Sequence, residues 1–307
     1  MDHLPTHTPY DGSSSPFTIG LKPLDLKDWI EVDHTFDDQM REKRQLYEER
    51  PDDVFVEEPG SEDAQREVLG LVQKHVAEHF PERYEQQCKG MLISGHPAVT
   101  TAAMRSMPAL KAASLLVQED LILMRKGEDG WRLVAGSLCF PSSWSLREKF
   151  GKPLSQIHDP VPAFGPGTRN AGLIDRMFDN LQIERPVQRW NWSLQASPAL
   201  YYPLSAVQRI DRATRRPSKF TDAEIAAQVF MRVERQTLRK LPASRDILFT
   251  IRIYIDPLTA LTRHPDRSAI AKSFAGQLMA MEDAQLDYKG LTADRDRLVE
   301  ALKAIAA

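Results

Sequence analysis

Three groups of residues in this sequence have types and spacings that can do chemistry. The first is a lone histidine, His158, in the stretch 144–162, WSLREKFGKPLSQIHDPVP. A helix opens there, with Ser143 placed to cap it and Leu146 and Phe150 on one face, and Gly151 and Pro153 interrupt it. A second short segment carries Leu154, Ile157 and His158 into Asp159-Pro160-Val161-Pro162, where two prolines fix φ and remove two backbone donors. An imidazole held on a short element with a stiff exit suits a ligand in a pocket, and equally suits a single buried, hydrogen-bonded histidine. Spacing leaves both open, because one histidine carries no ligand count. The second group is His75-Val76-Ala77-Glu78-His79, the H-x-x-E-H pattern of inverted zinc peptidases, with two imidazoles one turn apart and an acid between them. A catalytic zinc needs a third protein ligand, and no downstream helix shows an obvious acidic one. A helix face with Val76 and Phe80 toward the core is the plainer reading. The third group is Arg232, Glu234 and Gln236, which alternate along 229–238 and share one face. That face is too polar for a core unless its charges pair, so it is either wet or lines a polar cavity.

The elements that must position these groups follow from period and punctuation. Phe36, Met40 and Tyr47 recur at helical spacing before Pro51, and Val68, Leu71, Val72, Val76 and Phe80 form the stripe of a helix starting at Ser61. A short helix is expected around 109–116. Apolar runs at 120–125 and 131–140, joined by a Gly-containing loop over 126–130, predict a β-hairpin. After the His158 stretch, Gly165-Pro166-Gly167-Thr168 opens a helix with Leu173, Ile174, Met177, Phe178 and Leu181 on its apolar face. Strands are expected at 187–195, 229–238 and 247–255. The last alternates Ile251, Ile253 and Ile255 against Thr250, Arg252 and Tyr254. The polar insert before the second of these, about 25 residues long, is expected to cross an edge or cover a site. Amphipathic helices with Ile270, Phe274, Leu278 and Met281 close the chain. The fold class is therefore α+β, with five antiparallel strands and helices inserted between the second and third, the order of a PAS-like sheet. Its expected parts are a flexible tail at 1–16, a helical N-terminal part packed on the sheet at 17–116, the PAS-like core at 117–260 and C-terminal helices at 261–307.

Composition narrows the function classes. The 307 residues are 42% hydrophobic and 27% charged, ordinary for a globular chain. Lys and Arg number 40 against 43 Asp and Glu, so no global basic field exists to attract a phosphate backbone, and nucleic acid is not an expected partner. Cys88 and Cys139 form no CxxC pattern, which argues against a thiolate metal cluster and for a reducing compartment. No segment has the make-up of a signal peptide or a membrane span, and a cytoplasmic location is expected. Gly-rich nucleotide loops, GxSxG elbows and internal repeats are absent from the sequence.

The ordered blocks Trp144-Ser145-Leu146, Lys149, Gly151, Ile157 through Pro162, then Arg189-Trp190-Asn191-Trp192, then Arg232 through Leu238, Leu241-Pro242 and Phe249 through Tyr254 resemble the heme-dependent oxidative N-demethylases. These are the heme-bearing subunits of dimethylamine monooxygenase and their relatives. The resemblance covers about residues 17 to 290. It implies a PAS-type fold holding heme b through a proximal histidine, and O2-dependent oxidation of a small secondary amine to a primary amine and formaldehyde. It also implies electrons from NADPH through a separate reductase bearing flavin and an iron–sulfur cluster. Carried over by position, His158 is the expected iron ligand, with His96 its competitor. Lys149, Arg169 and Arg176 are the expected partners of the heme propionates. On the substrate side, Glu234 is expected to accept from an ammonium, and Asn191, Arg252 and Tyr254 to donate toward dioxygen. Trp190 and Trp192 wall a cation site or pack in the core. A PAS-like heme or ligand sensor without turnover is the alternative from another class, and a zinc hydrolase built on His75 and His79 the third.

Overall fold

A computed structural model describes residues 3–87, 90–95, 99–100, 106–221 and 224–307. The strands are β1 (Lys22–Pro23), β2 (Phe55–Glu57), β3 (Tyr84–Gln87), β4 (Gly90–Ile93), β5 (Val99–Thr100), β6 (Asp120–Gly127), β7 (Gly130–Ser137), β8 (Val187–Gln195), β9 (Phe230–Lys240) and β10 (Ile247–Pro257). The helices are α1 (Phe36–Glu49), α2 (Pro51–Val54), α3 (Glu62–His79), α4 (Ala109–Ser114), α5 (Leu146–Lys149) and α6 (Leu154–Ile157). They continue with α7 (Arg169–Asn180), α8 (Ala206–Arg215), α9 (Ile225–Gln228), α10 (Arg267–Ala280), α11 (Asp283–Lys289) and α12 (Arg295–Ala306). The α+β class is as expected. The sheet is larger than the expected five strands, because two short N-terminal strands extend it at both edges. Its order is β1-β8-β9-β10-β6-β7-β2, antiparallel throughout, and β3, β4 and β5 form a second, small sheet.

The predicted hairpin is tighter than its sequence suggested. Gly127 pairs with Gly130, so only Glu128 and Asp129 make the turn. The second strand stops at Ser137, because the next amides leave the ladder: Cys139 N–H and Phe140 N–H donate to the two carboxylate oxygens of buried Asp120, at 2.8 and 2.9 Å. A carboxylate that accepts two amides substitutes for a strand partner and turns the chain toward α5.

Period two divides the sheet into two covered faces. On one, Leu121, Leu123, Val134 and Ala135 pack on α1, α3 and α4, while Met231, Val233, Trp192 and Tyr254 pack with α10, α11 and α12. On the other, Ile122, Met124, Leu133, Leu238, Ile251 and Ile253 pack against α5, α6 and α7. The first face also carries charge. Arg235 is fully buried and reaches the carbonyls of Trp29 and Asp28 and the Glu31 carboxylate.

Residues 3–16, expected as a flexible tail, lie against this packed face. Tyr10 is fully buried with its ring stacked 4.3 Å from Phe274, and His7 meets Glu31 at 2.9 Å. The H-x-x-E-H helix is α3. His75 is buried edge-on to Trp29 at 5.3 Å, and burial pulls its pKa down to about 4, so the ring is neutral at ordinary pH. Among the described residues no three His, Cys, Asp or Glu side chains cluster to hold a metal ion, which leaves the zinc reading without its third ligand. No helix among the described residues is long and apolar enough to cross a membrane.

Candidate functional site

The segment bearing His158 is fastened to the sheet before it reaches the cavity. Leu146 lies against Gly136 of β7, where a Cβ would come within 2.9 Å of its Cδ1, so glycine is what lets α5 dock this closely. Gly151 turns the chain at φ +74°, its N–H donates to the Leu133 carbonyl at 2.9 Å, and Leu133 N–H returns to the Lys152 carbonyl at 3.2 Å. Ser143 does not cap α5 as expected. It adopts φ +60°, and Ser145 precedes the helix instead. His158 ends the single turn of α6, its N–H bonded to the Leu154 carbonyl at 2.9 Å, and Val161 N–H caps the His158 carbonyl at 2.8 Å. The two prolines leave the exit no freedom to swing.

His158 faces a cavity of about 1740 Å³, its open mouth included, between the sheet and α5 to α7. One part of the wall is apolar: Ile122, Met124, Leu133, Leu154, Ile157 and Val161, with Phe164, Ile174, Met177 and Phe178 beyond. The other part is polar, with Arg189, Asn191 and Ser193 from β8, Glu234 and Gln236 from β9, and Lys149, Lys219 and Lys289 from helices and loops around the sheet. Register explains which strand residues arrive. Facing residues of an antiparallel pair share a side of the sheet, and Asn191 faces Glu234 while Arg189 faces Gln236. Asn191 Nδ2 lies 3.4 Å from Glu234 Oε2, and Gln236 Nε2 donates to the same oxygen at 2.8 Å. Of the two sequence readings of that polar face, the structure has the cavity lining.

The electrostatics of the cavity are distinctive. Burial, with Lys149 and Arg189 adding to it, holds the His158 pKa down at about 4, and hydrogen bonding to the Leu154 carbonyl pulls the other way. At neutral pH the ring is the neutral form that binds metals. Lys149 sits with its ammonium 4.2 Å over the Trp144 ring, and burial lowers it to about 8. Arg189 donates to the Thr18 carbonyl at 3.1 Å, while its Nε is buried without a partner.

Other expected site residues lie elsewhere. Arg252 and Tyr254 are on the opposite face of β10 from the cavity, since Glu234 faces Ile253, whereas Arg252 faces Arg235 and Tyr254 faces Val233. There Arg252 is fully buried, paired with Asp33 at 2.8 Å and Gln39 at 2.8 Å, and the Tyr254 hydroxyl donates to Glu31. Arg169 and Arg176 are exposed on α7, outside the cavity wall. Trp192 packs in the core with its indole N–H on Gln277 at 3.0 Å. His96 lies outside the described residues. Wall residues that sequence reasoning missed include Arg189, Lys219 and Lys289. Alternation with Asn191 marks the first, but nothing local marks the lysines.

Arg252 thus serves folding. Replacing it with methionine leaves Asp33 in a site built for an ion pair and is expected to cost about 3 kcal/mol of stability, read as a lowered urea midpoint. Ligand-binding properties of the cavity should not change. An Arg252→Met protein of normal stability that has lost its cavity function would restore the catalytic expectation.

The fold and site together define an α+β protein with a large cavity whose wall is apolar in one part and polar, with several cationic side chains, in the other, and which a neutral imidazole faces. The chain belongs to a particular family of such proteins: the model described as Haem-dependent oxidative N-demethylase, alpha subunit-like, matches residues 20–299.

The family is heme-dependent, and the cavity residues fit a porphyrin on the observations above. A neutral imidazole stands on an apolar wall, and the cationic Lys149 and Arg189 nearby have no carboxylate within 4.0 Å among the described residues.

Proposed function

We propose that this chain is the heme-bearing subunit of an enzyme that oxidatively removes a methyl group from a small secondary amine of the dimethylamine kind. The balanced change takes the N-methylamine, O2, two electrons and two protons to the primary amine, formaldehyde and water. The observation that carries the reading is the pairing of His158 on the apolar wall with the Glu234–Asn191–Gln236 group on the facing sheet, in one cavity. The spatial order of the five central strands, second, first, fifth, fourth, third, with the helices between the second and third, supports reading the core as PAS-like.

In this reading His158 ligates the iron of heme b, and Lys149 and Arg189 neutralise its two carboxylates. Arg189 takes the role that the resemblance implied for Arg169 and Arg176. Bound heme supplies O2 activation and oxidation of the methyl carbon. The protein groups do the rest. The Glu234 carboxylate, held by two amide side chains, accepts from the amine N–H and places the methyl group toward the apolar side. Asn191, at the same strand pair, keeps an amide to donate to oxygen. Phe17, Ile19 and Leu21 line the cavity beside β1 and exclude water. Electrons come from NADPH through a partner reductase with flavin and an iron–sulfur cluster.

The purified protein, reconstituted with hemin and supplied with NADPH, a flavin and iron–sulfur reductase and O2, is expected to release formaldehyde from N-methylamines in proportion to O2 consumed. Heme uptake with amine-dependent spectral change and no formaldehyde would instead make it a sensor.

A further inference from the structure

The polar end of the cavity holds more positive charge than a simple amine substrate would need. Four cationic side chains line the cavity, Lys149, Arg189, Lys219 and Lys289, against the single carboxylate of Glu234. None of the four has a carboxylate within 4.0 Å among the described residues. The two carboxylates of a porphyrin offset Lys149 and Arg189, and Glu234 offsets one more charge. With the lysines protonated, as a bound anion would keep them, one positive charge then remains, and a lone dialkylammonium would add to it.

Lys219 and Lys289 are the residues without an assignment. They come from different elements, the loop after α8 and the end of α11, and each is anchored by backbone carbonyls. Lys219 Nζ donates to the carbonyls of Leu194, at 3.1 Å, and Lys289, and Lys289 Nζ donates to the Trp192 carbonyl. An ammonium has three donors, so these anchors leave donor capacity on both groups. Burial depresses both, Lys219 to about 7, with Arg212 and then Lys289 adding to it and Asp294 opposing, and Lys289 to about 8, with Glu234 opposing and Arg189 adding. An anion between them would relieve that cost.

We infer that Lys219 and Lys289 form the carboxylate subsite of the substrate, so that this cavity takes an N-methylated amino acid rather than a plain dialkylamine. The inference rests on the demethylase reading of the same cavity. Glu234 receives the amine and the two lysines receive the carboxylate, which gives a zwitterion a complementary pair of charges and leaves a plain amine repelled by the surplus.

The test is a pair of calorimetric titrations of the heme-loaded protein with N-methylglycine and with dimethylamine. N-methylglycine is expected to bind at least about tenfold more tightly, the effect of one charge-assisted hydrogen bond at the low end of its range. In Lys219→Met that preference is expected to fall close to one, and in Lys219→Arg to persist, which controls for folding. Equal affinities in the unaltered protein, or a variant that weakens both ligands alike, would overturn the inference. The absorbance of the same samples reports heme separately. If Lys219→Met loses heme, the lysine belongs to the porphyrin and the inference falls while the demethylase reading stands. If the preference holds but no formaldehyde forms, the subsite stands without the demethylase reading.

Discussion

His158→Ala is expected to give a folded, nearly colourless protein. The unaltered chain should bind hemin with the intense near-ultraviolet absorbance of histidine-ligated heme, and the variant should lose at least about tenfold in heme affinity, since even outer groups around metal ligands are worth 10–100-fold. Stability should change little, because the ring is only partly buried and its removal leaves an opening into a cavity already present. That opening supplies the control: added imidazole should enter it and restore the colour. The argument depends on position more than on residue type. The backbone of His158 is held by the Leu133–Gly151 and Leu133–Lys152 bonds behind it and by prolines ahead of it, which keeps the residue on the cavity wall. If His158→Ala stays fully red with an unchanged spectrum, another histidine holds the iron, and His96 is the next to test.

How far the sequence alone reached shows where the physics is local and where it is not. Strands β6 and β7 were readable as apolar runs joined by a Gly-containing turn, and β10 by the alternation of Ile251, Ile253 and Ile255 with polar residues, because both signals are properties of five to ten neighbours. The short edge strands β1 and β2 were not, since two or three residues carry no period and pair only because a sheet edge is there to accept them. Arg252 and Tyr254 went to the wrong side for a related reason. Alternation shows that they share a face, but which face depends on register. Lys240 pairs with Ile247 across the turn, so Glu234, six residues back, meets Ile253, six residues forward, and Arg252 falls on the other side. Counting that turn would have corrected the assignment. Lys219 and Lys289 were beyond any such count, because the cavity that joins them exists only once α11 packs beside β8. The stiff mount of His158, by contrast, was readable because Gly and Pro on either side are written in the sequence, while its place on a cavity wall was one of the two readings that spacing left open.

The second large effect belongs to Glu234. It is the only carboxylate on the cavity wall among the described residues, and its side chain is 13% exposed, enough to meet a ligand and too little for water to neutralise its charge. Glu234→Gln keeps the shape and one acceptor oxygen but removes the charge. An amine N–H then loses a charge-assisted hydrogen bond worth roughly 2 kcal/mol in binding. Misplacement of the methyl carbon adds a further loss in turnover, so kcat/KM should fall about a hundredfold or more. Heme absorbance should persist, because His158, the residue that fits the iron, stands on the apolar part of the wall and is untouched. Folding should survive as well: Arg232, 4.0 Å behind Glu234, keeps the carbonyls of Leu200 and Phe140 at 3.0 and 2.6 Å. The split between parameters is what separates a substrate contact from a cross-strand brace. A brace lost from the sheet would lower the melting temperature and leave KM for the amine alone, whereas a lost ammonium acceptor raises KM at constant stability. A Glu234→Gln protein with wild-type kcat/KM would leave the amine without a charged acceptor in this cavity and would sink the assignment of the sheet face as the substrate side.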